Sequence, residues 1–431
     1  MTPVSSEAAV RRATPSALGL APSFGFGDRL GVATPGHLAA LREAGGPIRG
    51  IFAQQSIREM TRTQRSPEEV MRAAAAVLRD ANFDDPWSAD ADHLKTLEDI
   101  RSTAAAGFVF FTLDPSDEVD QQADGYDAAT LAAKFAEVRD SAPWFADYSG
   151  RVIRMVAGTI TLDETTLMRA AVKYGRAIQR AIDLSRAVET EAKRLRQPFE
   201  IELSVDETAE PTTPAEHFII ADQLQQAGVR IVSLAPRFVG EFEKGIDYRG
   251  DVAELEQQLR LHAEIAAELG PYKLSLHSGS DKLSMYSQLA QITRGRFHVK
   301  TAGTSYLEAI RVAARQDERF FREIIDFSRM HYDRDKATYH VSARVEDAPS
   351  PDEVLDVAVL ERIYLDQWSV TPHGKGFTEP GRQILHCTFG SVLTDPRLGP
   401  MLSDLLATHL DTYTELLRDH FQRHLRALQW S

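Results

Sequence analysis

The segment Ser88-Ala89-Asp90-Ala91-Asp92-His93-Leu94-Lys95 sets two carboxylates, an imidazole and an ammonium on one short β-like run. A strand that only closed a core would have no use for four such groups. Two later runs repeat the pattern: Tyr272-Lys273-Leu274-Ser275-Leu276-His277-Ser278-Gly279-Ser280-Asp281-Lys282 and Phe297-His298-Val299-Lys300-Thr301-Ala302-Gly303-Thr304. Each is a β-like stretch that ends in chemistry, and this recurrence decides the fold.

Working outward, short β-rich runs alternate with longer helical patterns, as expected of βα units around a parallel sheet. Candidate strands lie at 28–33, 50–53, 89–94, 108–113, 199–205, 230–234, 272–277 and 297–301. Eight units make a TIM-type (β/α)8 barrel, with a doubly wound sheet as the runner-up. Helices are predicted at 34–44, 66–81, 214–227 and 251–269. Residues 115–198 read as a long insertion after the fourth strand, helical from about 164 to 196. From Tyr306 the chain is mostly helical, with amphipathic spacing at Leu402, Leu405, Leu406, Leu410, Tyr413, Leu416 and Leu417. The division is then a tail over 1–22, a catalytic barrel over 23–305, and a helical C-terminal extension over 306–431. The extension would pack on the barrel or on a second subunit of a homo-oligomer.

Composition narrows the partners. Against 49 Lys plus Arg stand 63 Asp plus Glu, which is the wrong balance for a phosphate backbone, so a small molecule is expected and nucleic acid is not. Cys387 is the single cysteine, which rules out an intramolecular disulfide and a cysteine-rich metal site. No run of about 18 apolar residues and no signal-peptide core is present, so the expectation is a cytoplasmic protein with no membrane partner.

Barrel active sites lie at the C-terminal ends of the strands. Read to their ends, these strands give Asp28 and Arg29, Gln54 and Gln55, Asp92 and His93, Asp114, Glu202 with Ser204 and Asp206, Arg237, His277, and Lys300. A lone histidine at such a place is more often a hydrogen-bonded rim residue than a ligand. His93 and His277, each flanked by carboxylate and lysine, invert that reading, and His298 stands between the two. His340 and His386, in the tail, read as structural or supporting. Glu202 lies between Ile201 and Leu203 in an apolar strand, where an unpaired carboxylate costs several kcal/mol, about 2–7 for a polar group left without a partner and more for a charge. In Gly25-Phe26-Gly27-Asp28-Arg29-Leu30-Gly31 the third glycine is one place late for a dinucleotide loop. A tight turn, and no nucleotide cofactor, is the reading.

Seven separated motifs in order carry a resemblance: Ser23-Phe24-Gly25-Phe26-Gly27-Asp28-Arg29-Leu30-Gly31, Ile51-Phe52-Ala53-Gln54-Gln55-Ser56-Ile57-Arg58-Glu59, Ala89-Asp90-Ala91-Asp92-His93, Ser204-Val205-Asp206-Glu207-Thr208, Phe242-Glu243-Lys244-Gly245-Ile246-Asp247-Tyr248, His277-Ser278-Gly279-Ser280-Asp281-Lys282 and His298-Val299-Lys300-Thr301-Ala302-Gly303-Thr304-Ser305-Tyr306. With these the chain resembles the tagaturonate–fructuronate epimerase family. The resemblance implies a divalent-metal epimerase that inverts C4 of a 2-keto-hexuronate, with relatives acting on the neutral pair fructose and tagatose. It implies Asp92 as proton acceptor, Glu202 as proton donor, and His93 and His277 as metal ligands. The third ligand is left between His298 and a carboxylate. Zinc, nickel, manganese and iron all suit such donors. Gln54, Arg237, Lys244, Asp281 and Lys300 are the expected substrate-binding residues. Leu283 departs from the Phe more usual after Lys282.

Chemistry supplies a mechanism for that reaction. C4 is β to the C2 carbonyl, so its hydrogen is not acidified. Retro-aldol cleavage of C3–C4 makes C4 a planar aldehyde that inverts when it rotates and adds again. A two-base mechanism would use the same residue types. A metal-dependent aldolase or sugar isomerase would share the site, and a non-catalytic sugar-binding barrel would need neither the Asp-His pair nor a buried Glu.

Overall fold

The computed structural model describes residues 14–430. Residues 1–13 of the expected N-terminal tail lie outside the described residues. Eight parallel strands close a barrel: β1 (Ser23–Gly27), β2 (Arg49–Ser56), β3 (Ser88–Leu94), β4 (Phe110–Leu113), then, after a separate hairpin of β5 (Arg151–Arg154) and β6 (Thr159–Leu162), β7 (Glu200–Val205), β8 (Ser233–Pro236), β9 (Lys273–Leu276) and β10 (Phe297–Thr301). β10 pairs with β1 and shuts the ring. Among the described residues no helix is long and apolar enough to cross a membrane.

The first strand falls five residues earlier than expected. Alternation explains it: Phe24 and Phe26 face the surrounding helices, packing on Phe421 at 5.9 and 5.2 Å between ring centroids, while Gly25 and Gly27 alternate with them. A Cβ on Gly27 would come within 2.5 Å of the Thr301 carbonyl, so only glycine lets β1 lie this close to β10. The Gly-Phe-Gly run is therefore strand, where a tight turn was expected. The turn comes next: Asp28 accepts from the amides of Leu30, Gly31 and Ala33. β8 likewise begins three residues later than predicted.

The 115–198 segment carries the helix Ala128–Val138, the β5–β6 hairpin and the helix Glu164–Leu195, which Asp163 caps by accepting from the Thr166 amide. Its buried stripe packs on β4 and on the flanking helices Leu97–Ala105 and Pro214–Gln226. That long helix thus occupies the outer-layer place of the fourth βα unit, and the true excursion is the part before it.

The C-terminal region is helical and lies on the chain's own barrel. Helix Leu410–Ala427 packs along helix Thr34–Ala44 beside β1, burying Tyr413, Leu417, Phe421 and Leu425. Leu402 and Leu406 of the preceding helix are buried as well, whereas Leu410 is exposed. At the other end of the barrel, the amides of Leu18 and Gly19 donate to the buried Glu200 carboxylate.

Candidate active site

β3 would send Asp92 and His93 to opposite faces if it alternated regularly. It does not. The pairing of β3 with β4 shifts register between Ala91 and Leu94, and His93 takes a left-handed backbone (φ 55°), rare for a non-glycine residue. The irregularity brings both side chains to the mouth of the barrel. There the His93 and His277 rings stand edge to face, 5.1 Å between centroids.

Beneath them the barrel interior is ionic. Lys300 Nζ on β10 lies 2.7 Å from Asp90 Oδ2, 2.8 Å from Asp92 Oδ1 and 2.8 Å from Glu202 Oε1, and donates to Thr112 Oγ1 at 2.6 Å. Burial pushes its ammonium down, but the three carboxylates outweigh this and raise it. Glu202 is fully buried, and His277 Nε2 donates to its Oε1 at 2.6 Å. Burial favours the neutral acid, yet Lys300 and His277 hold Glu202 well below the usual carboxylate range. Asp92 is lowered too: burial opposes, and His93, Lys300 and His277 prevail. Gln54 Nε2 donates to Asp92 Oδ2 at 3.2 Å.

Carboxylates surround the imidazoles. His93 Nδ1 donates to Asp114 Oδ2 at 3.1 Å, and His277 Nδ1 lies 3.1 Å from Asp206 Oδ1. Against burial, Asp92 and Glu207 lift His93 to about 10; against burial and the Lys300 charge, Asp206 and Glu202 lift His277 to about 9. This end of the cavity attracts positive charge. Ligand atoms of Asp92, His93 and His277 lie within 4.8 Å of one another, so the residues fit a divalent cation. The hydrogen bond from His93 to Asp114 is the carboxylate–histidine arrangement that orients a metal-ligating ring.

His298 does not join that group. It lies deeper in the barrel, 0% exposed, its Nδ1 next to Ser23 Oγ at 3.0 Å and its Nε2 4.0 Å from Asp90. A second cluster, Asp281, His420 and His424, is occupied by the protein itself: Arg382 pairs with Asp281 at 2.7 Å, and the Asp281 amide donates to His424 Nε2 at 3.0 Å. Asp281, expected at the substrate, is instead sealed under the C-terminal extension because these partners satisfy it. Lys282 is likewise unavailable, donating to the carbonyls of Glu243, Ile246 and Ser280.

Two hollows with shared lining open at the mouth. The larger, about 570 Å³, is lined by Arg237, Lys244, His277 and Asp206; the smaller, about 30 Å³, by Gln54, Asp92, His93, Lys244, His277 and Lys300. Arg58 and Tyr339 line both, and Arg29 and His386 the smaller. Sequence reasoning passed over Tyr339, Thr112 and Asp90 as site residues. Asp90 could have been found from its i, i+2 relation to Asp92, whereas nothing in the sequence signals Tyr339. His386, read as structural or supporting, lines the smaller hollow.

The sequence model described as tagaturonate epimerase matches residues 7–428. The tagaturonate/fructuronate epimerase of Thermotoga maritima is 38% identical over 418 residues, 96% of this chain and 82% of that protein. The native crystal structure of fructuronate-tagaturonate epimerase UxaE from Cohnella laeviribosi superposes with a TM-score of 0.89 at 35% identity, covering 97% of this chain and 83% of that one. A glycerol complex of the same protein matches equally well.

Proposed function

This chain belongs to the tagaturonate epimerase family and is an isomerase of the carbohydrate-epimerase type, and we propose that it interconverts tagaturonate and fructuronate at C4 by breaking and remaking the C3–C4 bond. The observation that carries this reading is the pair of ionised carboxylates, Asp92 and Glu202, joined through one buried ammonium at 2.8 Å each, directly below two imidazoles.

His93 and His277 would hold a divalent ion, with Asp92 the carboxylate beside them. When bound, such an ion acts as a Lewis acid toward negative charge on the substrate oxygens. The chain's own residues do the rest. Asp92, ionised and within reach of the cavity, takes the C4 hydroxyl proton. The electron pair of C3–C4 then moves into the C2 carbonyl, leaving C4 as an aldehyde and C1–C3 as an enediolate. Lys300 keeps its charge throughout and lies against both carboxyl groups, stabilising whichever is ionised. Rotation of the aldehyde and re-addition form the inverted C4 alkoxide, which Glu202 protonates. Because the free protein holds Glu202 ionised, this donor role requires it to take up a proton when the substrate binds. Tyr339 and Arg58, lining both hollows, close the mouth over the fragments, which must not escape if the product is an epimer.

Epimerisation of fructuronate in deuterated water, followed by proton NMR, tests the bond that breaks. Cleavage of C3–C4 leaves the C4 hydrogen on its carbon, so the expected product is unlabelled there. Stoichiometric deuterium at C4 would exclude the retro-aldol step, and release of two three-carbon fragments would make the chain an aldolase.

A further inference from the structure

The mouth of the barrel carries charge of both signs. Around Asp92, His93 and His277 carboxylates dominate; the same small hollow is also lined by Arg29, paired with Glu59, by His386, and by Lys244 next to His277. Three of their polar atoms lack a hydrogen-bond partner. Both ring nitrogens of His386 are buried without a hydrogen-bond partner, as is Arg29 Nη1. Lys244 Nζ makes its only side-chain hydrogen bond among the described residues to Ser278 Oγ, at 2.8 Å. A buried polar group left unpaired is costly, so several on residues that line one hollow point to a ligand that satisfies them.

His386 comes from helix Gly381–Cys387 in the C-terminal extension, and the barrel makes room for it. A Cβ on Gly303, just past the end of β10, would sit 2.0 Å from His386 Cε1 and 2.2 Å from Nδ1. Glycine there admits the ring to the strand end that carries Lys300. Burial, with the charges of Arg29 and Lys244, holds His386 well below its ordinary value, so the imidazole is neutral and offers one donor and one acceptor. The small hollow, about 30 Å³, shares Arg58, Lys244, His277 and Tyr339 with the larger one, so a ligand held at Asp92 and His386 extends into the larger space.

A 2-keto-hexuronate calls for both. Its reacting C2–C4 portion needs a Lewis acid and proton-transfer groups, and its C6 carboxylate needs donors. We propose that His386, Lys244 and Arg29 form the subsite that receives the C6 carboxylate, so that the C-terminal extension sets the preference for a uronate over a neutral ketose. This rests on the reading of the chain as a ketohexuronate 4-epimerase. Arg29 already spends its Nε on Glu59 at 2.7 Å, which fixes the guanidinium with Nη1 left for the ligand. Of the four cations the sequence offers a carboxylate, Lys282 and Lys300 are fully engaged within the protein and Arg237 donates to the Thr208 and Ala209 carbonyls, which leaves Lys244, bonded to the Ser278 hydroxyl, as the available charge.

The test compares kcat/KM for fructuronate and for fructose, the latter at concentrations up to about 1 M, in wild type, His386→Asn and Lys244→Met. The fructuronate-to-fructose ratio is expected to fall tenfold or more in each variant, because fructose has no carboxylate to lose contact with. Equal losses on both substrates, or a ratio within twofold of wild type, would overturn the assignment. Lys244 is only partly buried, so its variant keeps the test valid should His386→Asn fail to fold. A wild type that epimerises neither substrate would remove the functional reading itself; wild-type turnover with unmoved ratios in the variants would remove only this subsite.

Discussion

Replacing Lys300 with methionine removes the charge that holds the site together while nearly conserving volume. Its ammonium faces Asp90 at 2.7 Å and Asp92 and Glu202 at 2.8 Å each, and the side chain is 1% exposed. With an effective dielectric near 20, each contact is worth about 6 kcal/mol of Coulomb attraction, so about 18 kcal/mol in all before the charges' lost hydration is subtracted. That hydration cost cancels most of the sum. Removing one side of a buried charge group costs a net of about 3–5 kcal/mol, because the charges left behind are unpaired. Urea unfolding of Lys300→Met is therefore expected to show a stability loss of about 3–5 kcal/mol with an unchanged denaturant slope. Adding Asp90→Asn in the same chain removes one of the three stranded carboxylates and should restore at least about 1 kcal/mol relative to additivity. Activity should not return with it, since Asp92 and Glu202 lose the ammonium that joins them. A Lys300→Met loss below about 1 kcal/mol, or strict additivity with Asp90→Asn, would refute the claim that this lysine is the electrostatic keystone.

Glu202→Gln keeps the shape of the pair and should lower kcat about 10²- to 10⁴-fold; turnover within a few-fold of wild type would leave Glu202 a structural carboxylate. His93→Ala and His277→Ala should each lose bound divalent metal and activity together, read by elemental analysis and by rate after chelation and add-back. Full activity in a chelator-treated, metal-free sample would end the metal assignment. The buried contact between His420 and its carboxylates Asp281 and Glu308 (2.8 and 2.9 Å) predicts a pH dependence with two limbs. Against burial, the two carboxylates raise His420, so its contribution is full below about pH 6.5 and is lost as pH rises through the raised value. Asp281 and Glu308 are lowered, burial opposing Arg382 and His420 for the first and Arg311 and His420 for the second; their contribution is full above about pH 4 and lost on acidification. Thermal melts across pH should show wild type losing stability on the alkaline side more steeply than His420→Gln, and parallel profiles above pH 7 would show that the imidazole carries no charge there.

Strand identity was legible wherever apolar periodicity ended in polar residues: β3, β7, β9 and β10 were found from exactly the residues that later form the site, and Glu202 was singled out by its apolar neighbours. β1 was displaced because its inward positions are glycines, which in a sequence read as turn. The pairing of Asp92 with His93 on one face was not derivable, since regular alternation separates them and only the register shift unites them. His298 was drawn toward the metal by residue type alone. It lies two positions before Lys300 on the same strand, so it points inward one layer deeper, where Ser23 and Asp90 receive it. Asp281 misled for a related reason. Its motif is contiguous with His277, but its partners Arg382 and His420 come from more than one hundred positions later in the chain. Contacts of that separation leave no local pattern.

The ionic interior has a consequence for how the barrel stays closed. Apolar layers normally fill such a barrel, yet here Asp90, Lys300, Thr112 and Glu202 occupy the layer below the mouth, where net stabilisation per contact is small. Cohesion must come from the outer faces of the strands and from what covers them. Phe24 and Phe26 of β1 pack on Phe421, and the same C-terminal helix supplies His420 to Asp281, four residues after His277. One helix thereby braces β1 by apolar contact and the β9 loop by charge. The extension also carries His386 to the cavity from a helix that Arg382 ties to the Gly245 carbonyl and to Asp281. Lys244 is the neighbour of that glycine and Asp281 lies four residues after His277, so one buried guanidinium ties together the loops that carry Lys244 and His277. The extension is then part of the site's geometry, and a change that loosens it should disturb the cavity before it unfolds the barrel.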